Sequence, residues 1–203
     1  GDIRAYRDLL NICRETMKTD VPLAVRYLEN LSDWIEEIIP GIEDIGKMRE
    51  MFSFHREVVF AGARESFHLC LLAVEWNRDP DKKFYPPRKM VLREVVQALQ
   101  DLEERKLDLL AVSMPPGSGK TTLAIFYLTW IAGRHPEEPS LTGSHSNSFV
   151  RGVYDECLRI FDQAGDYLWQ EVFPETQVAN TNAKDCRIDL GKRKRFETLQ
   201  FTS

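Results

Sequence analysis

The sequence lacks the features that mark membrane proteins, secreted proteins and zinc proteins. None of its apolar runs approaches the roughly 18 residues that a membrane-spanning helix needs, and no secretory signal is recognisable at its start. Its four cysteines are scattered and form no C-x-x-C pair, which predicts reduced thiols in a cytosolic protein. Its four histidines form no H-E-x-x-H motif, so we expect no zinc site.

An excess of basic residues is also lacking, because the formal net charge is −5. This balance argues against a basic nucleic-acid-binding domain. The acidity is concentrated in residues 1–50, which contain 11 acidic and 7 basic side chains. One basic run, Lys192-Arg193-Lys194-Arg195, could contact phosphates, although we favour a solvated turn between two strands. With 43% hydrophobic residues, the 203-residue chain can bury a core and is not disordered.

What the sequence does contain is a glycine-rich loop between a predicted strand and a predicted helix. Residues 108–122 read DLLAVSMPPGSGKTT, and residues 114–119 are called the phosphate loop below. In such a loop the backbone N–H groups surround phosphates, the lysine reaches the β- and γ-phosphates, and the following hydroxyl binds Mg²⁺. The predicted ATP-binding residues are Pro116, Gly117, Ser118, Gly119, Lys120, Thr121 and Thr122. Lys120 and Thr121 are the predicted catalytic pair, and Thr121 is also the predicted metal ligand.

The phosphate loop departs from the usual G-x-x-x-x-G-K-[ST] pattern at its first position, where Met114 replaces glycine. Pro115 and Pro116 have no N–H donors, so the amides from Gly117 onward must hold the phosphates. The alternative is an ordinary glycine-rich turn with a solvated lysine. The apolar segment before the loop and the amphipathic segment after it favour nucleotide binding.

The remaining pattern predicts an α/β domain, residues 77–203, preceded by a helical segment, residues 1–76. In the helical segment, Pro40-Gly41 marks a break, and one long helical stretch follows from about residue 49 to residue 76. The second domain alternates helices and strands, which predicts a sheet flanked by helices. Its predicted elements are a helix at 88–104 with Val91, Val95, Ala98 and Leu99 inward, a strand at 109–114, a helix at 121–132 that Gly133 ends, a strand at 140–144, a helix at 147–163 and a hairpin of 186–190 with 196–201.

Residues 67–203 resemble the N-terminal ATPase domain of the large subunit of the DNA-packaging terminases of tailed phages and prophages. The stretch MPPGSGKTT at 114–122 is similar to that family's Walker A loop, which often opens with two prolines. The stretch WIAGRHPEEPSLTGSHS at 130–146 is similar to the family's W-x-x-G-x-x-P…S-x-S pattern. YLWQEVFP, at 167–174, matches its Y…FP element. Residues 1–65 show no such resemblance.

The resemblance implies an additional-strand P-loop NTPase that couples ATP hydrolysis to translocation of double-stranded DNA into a capsid. It assigns the phosphates to Lys120 and Mg²⁺ to Thr121. It places the adenine-contacting element at FYPPRKM, where Phe84, Tyr85 or Arg88 would stack on or clamp the base. It also implies the small terminase subunit and the portal as partners, a homo-oligomeric ring, no membrane, and the cytoplasm of a bacterial host.

Two departures from the family bear on hydrolysis. Many members have arginine where this chain has Gly117, and phosphoryl transfer needs a cation on the γ-phosphoryl oxygens. Arg134, Arg151 and Arg159 are alternative sources of that cation, and the sequence does not choose among them. After the phosphate loop, no run of four apolar residues is followed by Asp-Asp or Asp-Glu. The sequence is therefore expected to stop before the Walker B strand and before the nuclease domain.

Two other interpretations share the phosphate loop. A helicase-like or clamp-loader-like ATPase would also need Lys120 and Thr121, but it has no reason to contain the GRHP and SHS stretches. A nucleotide-switched docking module without hydrolysis would combine the acidic helical segment with a degenerate loop. Met114 and the missing acidic pair favour that interpretation.

From these departures we predict that the 203-residue chain binds ATP with little or no hydrolysis and does not cut DNA. Phosphate release and plasmid nicking, both measured with Mg²⁺ present, check this prediction. A turnover of about 1 s⁻¹ or more, the ordinary range for enzymes, contradicts it.

Overall fold

The computed structural model describes residues 3–203 and divides the chain into two compact units, one ending at Trp76 and the other beginning at Asn77. Trp76 is also the last residue of the segment that the sequence predicts to be helical. Within residues 3–203, no helix combines the length and the apolar character that crossing a bilayer requires.

The described part of the first unit is helical. Its elements are α1 (Ile3–Thr16), α2 (Val21–Ile38), a 3₁₀ turn (Ile39–Gly41), α3 (Ile45–Gly62) and α4 (Phe67–Val74). Side-chain caps fix where α2 and α3 begin, because Asp20 accepts a hydrogen bond from the Leu23 N–H at 3.1 Å and Asp44 accepts one from the Lys47 N–H at 2.8 Å. The predicted break at Pro40-Gly41 coincides with the 3₁₀ turn.

The single long stretch predicted for residues 49–76 is wrong, because the chain forms two helices there. The Ser66 hydroxyl accepts a hydrogen bond from the Leu69 N–H at 3.1 Å and so starts α4 anew. Gly62 lets the two helices approach closely, since a Cβ at this position would lie 2.4 Å from the Leu69 Cδ1. Apolar residues occur on both sides of this break, so the hydrophobic pattern of the sequence did not indicate it.

The second unit is a mixed α/β structure. Its elements are α5 (Lys89–Glu103), α6 (Lys120–Arg134), β1 (Ser140–Gly143), α7 (Asn147–Phe161), α8 (Trp169–Val172), β2 (Val178–Asn182), β3 (Arg187–Leu190) and β4 (Leu199–Thr202). Two 3₁₀ turns, Pro80–Lys82 and Pro86–Arg88, shape the proline-rich segment before α5. The predicted α/β class is confirmed at this level.

The four described strands form one mixed sheet in the order β1-β4-β3-β2. β1 and β4 are parallel, with Ser140 opposite Leu199, whereas β3 is antiparallel to both β4 and β2. The strand predicted at 140–144 and the predicted hairpin are confirmed. β2 was missed because VANTN contains few apolar residues and shows no alternation.

The core of the second unit is rich in aromatic residues. The Trp169 indole N–H donates to the Thr129 carbonyl at 3.1 Å, and its ring lies 4.6 Å from that of Phe161. Gly133, predicted to end a helix, instead lies buried within α6. A Cβ at Gly133 would lie 2.7 Å from the ring of Phe173, so glycine is required there by packing.

The buried face of α5 differs from the predicted one. Val91 was expected to point inward, yet it is 69% exposed, while Leu92 and Val96 are buried. The helix sequence places apolar residues on two neighbouring stripes, so their periodicity alone could not decide which stripe packs.

The strand predicted at 109–114 does not form. Leu109 is 85% exposed and Val112 is 41% exposed, and the segment pairs with none of the described strands. Apolar residues favour a strand, but a strand also needs a neighbour to satisfy its backbone N–H and C=O groups. The P-loop arrangement of the sheet, in which this strand would take part, is therefore not established by the fold.

Substituting Gly133 tests the packing of α6. We expect Gly133→Ala to lower the free energy of unfolding by about 1–3 kcal/mol, because the new methyl group overlaps the Phe173 ring. Gly152→Ala is the matched control, since this helical glycine has open space around it and should gain up to about 1 kcal/mol. Urea denaturation measures both variants. Equal behaviour of the two variants would contradict the role of Phe173.

Candidate nucleotide-binding site

The phosphate loop is a tight turn that leads directly into α6. The Ser118 N–H donates to the Pro115 carbonyl at 3.3 Å. Gly117 and Gly119 have φ angles of 78° and 93°, in the left-handed region that favours glycine. The two glycines of the motif are therefore required by the backbone conformation of this chain.

The start of α6 leaves several donors without acceptors inside the helix. The first helical hydrogen bond runs from the Leu123 N–H to the Gly119 carbonyl at 2.9 Å. The N–H groups of Lys120, Thr121 and Thr122 precede it and point along the axis at the positive end of the helix dipole. Thr121 and Thr122 are exposed, so their hydroxyl groups are open to a ligand.

The Lys120 ammonium is held against the entrance of the phosphate loop. Its Nζ donates to the Met114 carbonyl at 2.5 Å and to the Pro115 carbonyl at 3.1 Å. Met114 and Pro115 thus contribute backbone oxygens rather than the donors of a usual motif. A phosphate that binds here must replace these carbonyls as the partner of Lys120.

The residues present fit a phosphate group. The Ser118 hydroxyl is buried and has no hydrogen-bond partner within residues 3–203. A buried, unsatisfied polar group costs about 1–3 kcal/mol, so a bound oxygen acceptor would relieve it. Across the described chain, no three His, Cys, Asp or Glu side chains gather to form a metal site. Mg²⁺ would therefore depend on Thr121 and on phosphate oxygens.

The segment FYPPRKM packs against the phosphate loop. A Cβ at Gly119 would lie 2.5 Å from the Phe84 Cε2 and 3.8 Å from the Arg88 Cδ. Arg88 is bound to the same segment, because its Nη1 donates to the Phe84 carbonyl at 3.0 Å and its guanidinium lies 5.3 Å from the Phe84 ring centre. Gly119 thus forms one wall with Phe84 and Arg88, which precede it by 35 and 31 positions in the sequence.

Only one of the three predicted base-contacting residues is exposed. Tyr85, predicted to bind the nucleotide, has no exposed surface and is a core residue. Phe84 is 9% exposed, because its ring stacks on Phe126 at 5.8 Å. Arg88 is exposed beside Gly119 and can reach a ligand. Pro86 and Pro87 begin a 3₁₀ turn, and the rings of Phe84 and Tyr85, which precede this turn, pack into the core.

A row of contacts behind this wall was not visible in the sequence. Phe126 of α6 meets the edge of Tyr167 with 5.8 Å between ring centres. The Arg78 Nη1 donates to the Tyr167 hydroxyl at 2.8 Å, and its guanidinium lies 4.3 Å from the centre of that ring. The row connects the Y…FP element to Phe84 and hence to Gly119. Neither spacing nor periodicity signals contacts between residues so distant in sequence.

The three arginines considered as transition-state cations all bind other groups. The Arg134 Nη1 donates to the Glu103 Oε1 at 2.9 Å. The Arg151 Nη2 donates to the Ala183 carbonyl at 3.0 Å. Arg159 pairs with Glu156 at 2.7 Å, and this hydrogen bond raises the pKa of the Arg159 guanidinium. None of these bonds reaches the phosphate loop.

Comparison of the chain with protein-family models, with curated proteins and with solved structures finds no match.

The two glycines of the loop should respond differently to substitution. Gly117→Ala, which meets no neighbouring atom, is expected to cost about 1–2 kcal/mol through its φ angle alone. Gly119→Ala should cost about 1–3 kcal/mol more, because its methyl group also overlaps Phe84. Thermal denaturation measures both. Equal losses in the two variants would show that Phe84 does not confine the loop.

Proposed function

We propose that residues 77–203 bind ATP and Mg²⁺ and belong to the motor of a terminase large subunit, which couples ATP hydrolysis to translocation of double-stranded DNA. The observation that supports this most directly is the contact of Gly119 with Phe84 and Arg88. It joins a phosphate-binding turn to the segment that the resemblance assigns to the base.

In this proposal each residue of the loop changes its partner when the nucleotide binds. Lys120 exchanges two neutral carbonyl acceptors for negatively charged phosphate oxygens, which adds a Coulombic attraction between two opposite charges. The Ser118 hydroxyl and the N–H groups at the start of α6 gain acceptors. Thr121 is the residue placed to hold Mg²⁺, whose charge offsets that of the phosphates.

Packing between the family-like stretches supports the terminase assignment over a generic ATPase. Gly133 of the W-x-x-G-x-x-P pattern accommodates Phe173 of the Y…FP element. Trp130 of the same pattern is fully buried. Ser146, the last residue of the S-x-S stretch, caps α7 by accepting from the Phe149 N–H at 3.5 Å. Two of the family-like stretches therefore pack against each other, which supports the proposal.

The proposal extends to the oligomeric state and the partners of the chain. A homo-oligomeric ring would let an arginine from a neighbouring subunit supply the missing cation, and the DNA, the small subunit and the portal would be its partners. One observation favours the docking module as the second candidate. Leu109 and Val112 are exposed and segment 109–114 pairs with none of the described strands, as would be true of a surface that another molecule covers.

Removal of the Lys120 charge tests the nucleotide site. We expect Lys120→Ala to weaken binding of a non-hydrolysable ATP analogue with Mg²⁺ by about 10- to 100-fold or more, because a hydrogen bond to a charged group is lost. Isothermal titration calorimetry measures the dissociation constant. The fold should remain intact, because the Lys120 ammonium bonds only to loop carbonyls.

The matched control is Lys18→Ala, which removes an exposed lysine of the first unit that pairs with Glu15. This variant should bind the analogue as tightly as the unchanged protein. An unchanged affinity in Lys120→Ala would refute the site assignment. Binding that is absent from the unchanged protein as well would refute the proposed function itself.

A further inference from the structure

The basic run of the sequence lies in the turn that joins β3 to β4. We name residues 192–196 the cationic loop. The Lys194 Nζ donates to the Pro136 carbonyl and, at 2.6 Å, to the Thr198 hydroxyl. The Thr198 hydroxyl donates in turn to the Pro136 carbonyl at 2.9 Å and accepts from the Leu190 N–H at 3.1 Å. Lys194 therefore has a structural role, and its bonds fix the base of the loop.

The other basic side chains of the cationic loop point into solvent. Lys192, Arg193 and Arg195 are exposed, and Arg193 and Arg195 form no ion pair within residues 3–203. Lys192 lies 3.6 Å from Glu137, but both side chains are more than half exposed, so this pair is weak. Phe196 is 66% exposed beneath the Arg195 guanidinium, which lies 5.5 Å from its ring centre.

Nearby acidic groups do not cancel this charge. Glu197, the next residue, turns toward Arg187 and accepts from its Nη1 at 3.1 Å. Residues 77–203 contain 18 acidic and 18 basic side chains, so the unit is neutral as a whole. Arg193 and Arg195, together with the weakly paired Lys192, therefore make a local patch of positive potential on one fixed turn.

The cationic loop is too far from the phosphate loop to act on the same ligand. It is fixed to Pro136, just beyond the end of α6, whereas the phosphate loop precedes the start of α6. Fifteen helical residues span about 22 Å at 1.5 Å per residue. The patch thus needs a second anion, and an extended one, because its three cations are spread along a turn.

We propose that the cationic loop binds the phosphodiester backbone of DNA. The choice of DNA as the polyanion rests on the proposed function, but the contact itself requires no nucleotide. Each of the three exposed cations would neutralise one phosphate, and the contact would be independent of base sequence. Phe196 adds a ring on which an unpaired base could stack if the bound DNA is single-stranded.

Binding of fluorescein-labelled DNA, measured by anisotropy between 20 and 200 mM salt, tests this proposal. The probes are a 30-base-pair duplex and one of its strands, with the full chain and without nucleotide. The slope d log K/d log[salt] is negative. Replacing Lys192, Arg193 and Arg195 by glutamine should reduce its magnitude by about 2.7 on duplex or about 2 on single strands. Affinity at about 50 mM salt should fall at least tenfold. Lys194 is kept because it fixes the loop.

The matched control is a second triple variant, Lys82→Gln, Lys106→Gln and Lys184→Gln, with the same change of charge on exposed residues of the same unit. It should keep the salt dependence of the unchanged protein. Equal losses in the two triple variants would overturn the proposal, because net charge alone would then explain binding. An unchanged protein that binds neither probe would overturn it as well.

Two further measurements separate the possible sources and the two proposals. A loss of about fivefold or more in Phe196→Leu on the single strand alone would assign the contact to unpaired DNA, and an equal affinity of this variant would assign it to the backbone only. Calorimetry with the ATP analogue is independent of the DNA measurement. DNA binding without nucleotide binding would refute the proposed function but support DNA binding by the cationic loop. Nucleotide binding without DNA binding would support the proposed function and refute the role of the cationic loop.

Discussion

The close contact between Phe84 and Gly119 is the constraint on which the candidate site depends. It leaves no room for a side chain at the last position of the phosphate loop, and the φ angle of Gly119 also requires glycine there. Phe84 is itself held by Phe126 of α6, which in turn meets Tyr167. The conformation of a short glycine-rich turn is thus set by aromatic packing that extends through the second unit.

This constraint also fixes the backbone of the loop through packing within the second unit. The Lys120 ammonium already lies among the loop carbonyls, and the donors at the start of α6 already point in one direction. Such a site pays little ordering entropy when a phosphate arrives, because the backbone is fixed in advance. What must change is local, namely the partners of Lys120 and of the buried Ser118 hydroxyl.

Local signals in the sequence were sufficient where the structure is determined locally. Asp20 and Ser146 have the side chains that favour helix N-caps and they cap helices here, and the glycine-rich turn begins a helix within one residue of the predicted start. The errors concern partners that lie far away in sequence. The segment 109–114 has a strand-like composition but no neighbour to pair with, and Tyr85 resembles a base-stacking residue but is buried by tertiary packing. Composition cannot supply either piece of information.

The two proposed sites lie at opposite ends of one helix, and this arrangement has a mechanical consequence. The phosphate loop precedes α6, and the cationic loop is bonded to Pro136 just after it. Between them α6 is held by Trp130, which is fully buried, and by the Trp169 bond to Thr129. A helix packed in this way moves as a rigid body, since close-packed interiors deform little. Any displacement of α6 itself would therefore be shared by Pro136, and with it by the cations that we propose to hold DNA. Coupling of this kind requires two discrete positions of α6 that both ligands bias, rather than contact between the two sites.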